Sequence, residues 1–184
     1  FLTTQRNPAE ADVKAEGLYY TGVVCRIRQV VRTNGTAKVM AEALYRARIA
    51  AFLSTEEYFK VVAVRSDYKS DDEVTTEAAF RVAKTATFDY ARLKGNVAKE
   101  ILETLSGVDS PDFFIDNALT VFSMKEADKQ AVLEEDDTVK RLELYSSLLL
   151  KETEIVKVQK DIDALVRKRI EDGQKEYYLR EQLK

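Results

Sequence analysis

The chain has 184 residues, 45% of them hydrophobic and 33% charged, with 29 Lys and Arg against 32 Asp and Glu for a net charge of −3. That composition supports one or two small domains with real cores and carries no basic excess of the kind that advertises nucleic-acid binding. Histidine is absent, cysteine occurs once, and the six glycines never approach a phosphate-cradling G-x-x-x-x-G-K-[ST] loop, so His-dependent nucleophilic triads, His/Cys zinc sites and a P-loop are excluded.

In chain order, residues 1–66 read as β. Phe1-Leu2-Thr3-Thr4 looks like a strand already under way, with the expectation that the chain begins inside a domain whose first elements precede it. Tyr20 to Val31 is rich in β-branched and aromatic residues, with Val23, Cys25 and Ile27 expected on one face and Arg26 and Arg28 on the other. Cys25 in that setting reads as a buried structural thiol. Thr33-Asn34-Gly35-Thr36 is a tight-hairpin signal, because Asn-Gly tolerates the positive φ angles of a two-residue turn. The return strand would run from Ala37 through Leu44 to Leu53, and Phe59 to Val64 gives a further one. Short strands with tight turns point to a small, curled antiparallel sheet or barrel. An incomplete sheet of this kind would keep an open edge and favour self-association.

Asp67 to Glu73 is polar, and the period changes across it. From Val74 to Leu93 a helical stripe is expected to hold Ala79, Val82, Ala83, Ala86 and Tyr90, with Gly95 ending the helix. Asn96 is expected to cap a second short helix through Leu105. Ser110-Pro111 opens a third, since Ser caps and Pro suits the first turn; its apolar side would hold Phe114, Ile115, Leu119 and Phe122. A fourth short helix spans Lys125 to Glu134. The acidic run Glu134-Glu135-Asp136-Asp137 reads as a helix cap rather than a cation site.

From Thr138 to Lys184 there is no proline and only Gly173, so a helix of about 70 Å is expected. Leu144, Leu148, Ile155, Val158, Ile162 and Leu165 suggest a heptad seam along it. The organisation expected is therefore α+β: a β-rich domain over residues 1–66, a helical subdomain over 67–137, and a long helix over 138–184. No apolar run is long enough for a membrane span. On the residues alone this is a binding or architectural module.

Two stretches carry a family resemblance. Leu18 to Ile27, Gln29-Val30, the turn Asn34-Gly35-Thr36 and Lys38-Val39 through Leu44 to Ile49 resemble the core hairpin of the Lon-type substrate-binding domain, with Ala43 where that family usually has Gly. Lys129-Gln130, Leu133-Glu134, Arg141-Leu142, Leu148-Leu149 and Glu152, then Gln174 to Lys184, resemble the helices that lead toward the motor of Lon-type ATP-dependent proteases. The resemblance implies a small antiparallel PUA-like β-domain, truncated at its start, then a helical subdomain and a long helix. It further implies a non-catalytic region that captures unfolded or damaged proteins and supports a homohexamer in the bacterial cytoplasm rather than the mitochondrial matrix. ATP, Mg and a Ser-Lys dyad are expected in other modules, with no cofactor or metal here. Candidate substrate contacts are Met40 and Tyr45 on the β-domain and Phe113 and Phe114 on the helical part, although aromatic residues at regular spacing also suit a core. Two other readings stay open: a coiled-coil assembly spacer, marked by dimerisation through the long helix, and a PUA-like nucleic-acid module, marked by steep salt-dependent RNA binding.

Overall fold

A computed structural model describes residues 1–183, which form three strands and five α-helices: β1 (Thr21–Thr33), β2 (Thr36–Ser54), β3 (Lys60–Arg65), α1 (Glu73–Lys94), α2 (Lys99–Ser106), α3 (Pro111–Val121), α4 (Glu126–Glu134) and α5 (Thr138–Gln182). The fold is α+β, with an antiparallel sheet in the order β1-β2-β3. The chain divides into two units, one of Phe1–Asp71 with Met124–Arg141, the other of Asp72–Ser123 with the chain from Leu142 onward. The division expected from sequence placed α4 with the helices; the structure groups Met124–Arg141 with the sheet, because the Arg46 side chain on β2 bonds that segment directly.

In the first unit the expected hairpin forms. Asn34 and Gly35 take φ values of 49° and 78°, the left-handed conformation of the two-residue turn whose twist matches that of the strands. Phe1 to Arg6 runs antiparallel to the start of β1 through the isolated bridges Leu2↔Val23 and Gln5↔Leu18. Leu2 and Val23 exchange both backbone bonds, at 2.8 and 2.9 Å. Gly22 is required there, since a Cβ would collide with the Leu2 carbonyl and the Phe1 ring. Register shifts at Val24/Cys25 and Ile27/Gln29 break the simple alternation. Cys25 is half-buried rather than buried, and Ile27, expected on the core face, is 66% exposed on a stretch of hairpin where both faces meet solvent.

In the second unit α1 is capped by Asp72, whose Oδ1 accepts from the Val74 N–H at 3.0 Å, and ends at Gly95 in the left-handed conformation, φ 69°. Its buried stripe is Thr76, Phe80, Ala83, Ala86, Thr87, Tyr90 and Ala91, while Val82 faces solvent. The cap of α2 is Ala98, not Asn96, so α2 starts later than expected and has no side-chain cap. α3 starts as expected: Ser110 Oγ accepts from the Phe113 N–H at 3.4 Å and Pro111 occupies the first turn. Phe114, Ile115, Leu119 and Phe122 are all buried.

α5 carries the largest difference from expectation. Its buried positions in the second unit are Leu142, Tyr145, Ser146, Leu149 and Val156, a seven-residue repeat offset from the expected one. Leu144 and Leu148 are half-buried, and Ile155, Val158, Ile162 and Leu165 are exposed. The phase is fixed by Tyr145, whose hydroxyl reaches Thr87 Oγ1 on α1 at 2.7 Å. From Lys157 through Leu183 every residue is exposed. Among the described residues no helix is long and apolar enough to cross a membrane.

Candidate binding surface

The first unit contributes an arm. From Arg26 to Tyr45 every residue of the β1–β2 hairpin is exposed, on both faces of the ribbon. The sequence makes such a ribbon because β1 is rich in β-branched residues and the Asn34-Gly35 turn fixes its register against β2. Opposed residues share a face, so Val30 pairs with Val39, and Gln29 with Met40. Ile27, Val30, Val31, Val39, Met40 and Leu44 all present apolar surface to solvent. Exposed apolar side chains gathered along one ribbon mark an interaction site more readily than scattered single residues do.

The root of the arm is rigid. Arg46, immediately after it on β2, is buried and makes six hydrogen bonds. Its Nε and Nη2 reach Ser66 O and Oγ at 3.0 and 3.1 Å, and Nη2 reaches Asp67 O at 3.3 Å. Nη1 donates to Leu133 O and Glu135 O, at 2.8 and 3.1 Å, and Nη2 donates to Asp136 Oδ1 at 2.6 Å. Its guanidinium stacks on the Tyr68 ring at 4.1 Å, as does that of Arg141 at 4.0 Å. A planar five-donor fork suits such a hub, where a lysine could satisfy few of these acceptors. Gln130 Nε2 adds a bond to Thr21 O at 3.0 Å. The acidic run therefore does two things: Asp137 Oδ1 caps α5 by accepting from the Lys140 N–H at 3.0 Å, and Asp136 anchors Arg46. The first was legible in sequence. The second was not, because Arg46 is one of several charged residues on β2, with Lys38, Glu42 and Arg48, and nothing local sets it apart.

The four candidate contacts fall differently. Met40 is 62% exposed near the middle of the arm. Tyr45, at the root, is 39% exposed and lies under the Arg65 guanidinium, 5.1 Å from the ring centroid. Arg65 in turn binds Asp67 at 2.7 Å, and that hydrogen bond raises its pKa above the usual arginine value. Phe113, on α3 in the second unit, is 59% exposed. Phe114 is corrected to a core residue: it has no exposed surface and packs edge-on against Phe80 at 5.4 Å. A side chain sealed in this way has nothing to offer a ligand. Met40 and Tyr45 share the arm, whereas Phe113 stands on the other unit.

A cleft of about 440 Å³ opens elsewhere on the first unit, lined by Phe1, Leu2, Leu18, Ile49, Tyr58 and Phe59 with Lys60 among them. Among the described residues no group of three or more His, Cys, Asp or Glu is placed to hold a metal ion.

A family model described as the ATP-dependent protease La (LON) substrate-binding domain matches residues 1–151. The chain is 36% identical over 190 residues to a Lon protease of Clostridioides difficile (strain 630), and 33% identical over 184 residues to a Lon protease of Escherichia coli (strain K12). Each match takes in all of this chain and 24% of the relative, so the chain spans about a quarter of the length of these curated relatives. Among solved structures, the N terminal domain of Mycobacterium avium complex Lon protease has a TM-score of 0.62 at 20% identity, over 74% of this chain and 73% of that one, a likeness of fold alone.

Proposed function

Because this chain belongs to the family of the ATP-dependent protease La (LON) substrate-binding domain, we propose that it is the non-catalytic, client-capturing N-terminal region of an ATP-dependent Lon-type serine protease. In this reading it holds unfolded or damaged proteins for degradation and supports assembly of a homohexamer in the bacterial cytoplasm. ATP hydrolysis, its Mg, and peptide-bond cleavage by a Ser-Lys dyad belong to other segments of that protease.

The observation that carries the reading is the arm: an exposed ribbon of aliphatic side chains and Met40 on a root fixed by Arg46. A degradation machine meets clients of unrelated sequence, so its first contact must be weak and tolerant. Aliphatic surface and a pliable methionine provide that tolerance. Several copies around a ring raise overall affinity without new contacts, because the second engagement becomes intramolecular. The exposed apolar residues of α5 beyond Val156, including Val158, Ile162 and Leu165, are available to a neighbouring helix and favour a role in assembly.

The test is crosslinking mass spectrometry of this chain with reduced, carboxymethylated lactalbumin and, separately, with native lactalbumin. Crosslinks to the unfolded form alone, clustered on 26–45 or around Phe113, are expected. Equal crosslinking of the native form, or none to either, would refute client capture.

A further inference from the structure

Asn34 and Gly35 close the tip of the arm, both exposed and both in the left-handed conformation. Among the described residues no hydrogen bond engages the Asn34 side-chain amide or the Gly35 N–H. Gly35 has no side chain to shield its nitrogen, and nothing lies within 4 Å of where one would begin. Arg32 and Lys38 flank the turn, and no acidic residue occurs between Arg26 and Ala41. Nearby cations favour loss of a proton from an amide nitrogen, the step that makes it a nucleophile.

The other three asparagines are held or shielded. Asn7 precedes Pro8, which has no N–H, and its Oδ1 accepts from the Ala9 N–H at 3.1 Å. Asn117 lies in α3, where its Nδ2 donates to the Phe113 carbonyl at 2.7 Å. Asn96 precedes Val97, whose branched side chain crowds the nitrogen.

We propose that Asn34 is a site of spontaneous deamidation and that its conversion loosens the arm. The Gly35 nitrogen, having lost its proton, attacks the side-chain carbonyl carbon of Asn34. The new N–C bond closes a succinimide ring, the bond to the side-chain nitrogen breaks, and ammonia leaves with the displaced proton. Water then opens the ring. Opening at the side-chain carbonyl gives aspartate; opening at the main-chain carbonyl gives isoaspartate, whose backbone runs through the former side chain. Water is the sole co-reactant, and nothing is oxidised or reduced.

Ring closure requires the Asn34–Gly35 peptide to leave its turn geometry, so the rate follows local opening of the tip. Isoaspartate lengthens the backbone by one carbon in a turn whose two residues set the register. The Thr33↔Thr36 pair and the Val30↔Val39 pair behind it then lose alignment. This chemistry is independent of what the arm binds.

The experiment ages the intact chain at neutral and at mildly alkaline pH. Trypsin then releases residues 33–38 as one peptide, and mass spectrometry separates its amide, aspartate and isoaspartate forms. Asn34 is expected to lose its amide at least about tenfold faster than Asn117, whose helix must open first, and faster still at the higher pH. The variant Asn34→Gly suits the same turn and has no amide to lose. Aged chain should exchange the amide hydrogens of Val30 to Met40 faster than fresh chain, and aged Asn34→Gly should not. Retention of the Asn34 amide under ageing that deamidates the urea-unfolded chain would overturn the proposal. Loss at Asn96 or Asn117 at the same rate would overturn it as well. Isoaspartate formation with unchanged exchange would overturn the loosening of the arm.

Discussion

Replacing Arg46 by alanine should unfold the first unit at much milder conditions, and the structure sets the size of the effect. The side chain is 4% exposed and donates to four carbonyl oxygens, the Ser66 hydroxyl and the Asp136 carboxylate. Six bonds do not add independently, but truncation strands acceptors on Ser66, Asp67, Leu133 and Glu135 at once. Breaking a buried, charge-assisted arrangement of this kind costs about 3–5 kcal/mol. Asp136→Ala should cost less, about 1–2 kcal/mol, because the Asp136 side chain is 42% exposed and removes only one acceptor from the hub. Urea unfolding followed by tyrosine fluorescence, with Arg46→Ala, Asp136→Ala and the double variant, checks both figures. The unfolding of a two-unit chain is analysed per transition rather than as one. An Arg46→Ala loss below about 1 kcal/mol, or one equal to that of Asp136→Ala, would refute the idea that the guanidinium ties the returning segment to the sheet.

Leu149→Ala should cost about 2–5 kcal/mol and Ile162→Ala under about 1 kcal/mol, because the first is fully buried and the second exposed; thermal unfolding compares them, and equal losses would refute the α5 phase. Burial raises the Tyr145 pKa well above that of a free phenol, so the stabilisation it contributes is complete below about pH 10 and is lost as pH rises toward its folded value. Tyr145→Phe should accordingly cost about 0.5–1.5 kcal/mol at neutral pH and flatten the alkaline loss, read by denaturant unfolding between pH 7 and 12. Gly22→Ala should release the first residues from β1, since the added methyl meets the Leu2 carbonyl and the Phe1 ring; faster hydrogen exchange at the Val23 and Leu2 amides is the expected result.

What was legible in the sequence was local. Asn34-Gly35 specified the hairpin because only a few residue types accept two successive left-handed conformations, and Ser110-Pro111 specified the start of α3 because cap and ring act within one turn. The absence of proline beyond Thr138 was enough to foresee α5, whereas Met40 and Phe113, whose type and spacing also suited a core, are exposed. Three things depended on contacts distant in the chain. From Arg26 onward neither face of the hairpin is covered, so Ile27 stays exposed, and a hydrophobic period does not record whether a partner covers it. The run Leu148-Leu149-Leu150 admits several seams, and it was the bond between Tyr145 and Thr87, 58 residues apart in sequence, that chose Leu149 for the core. Arg46 drew Leu133, Glu135 and Asp136 to the sheet from 87 to 90 residues away, so α4 belongs to the unit its local pattern gave no reason to join. Periodicity records which face of an element is apolar; which partner covers that face is decided only when the whole chain has closed on itself.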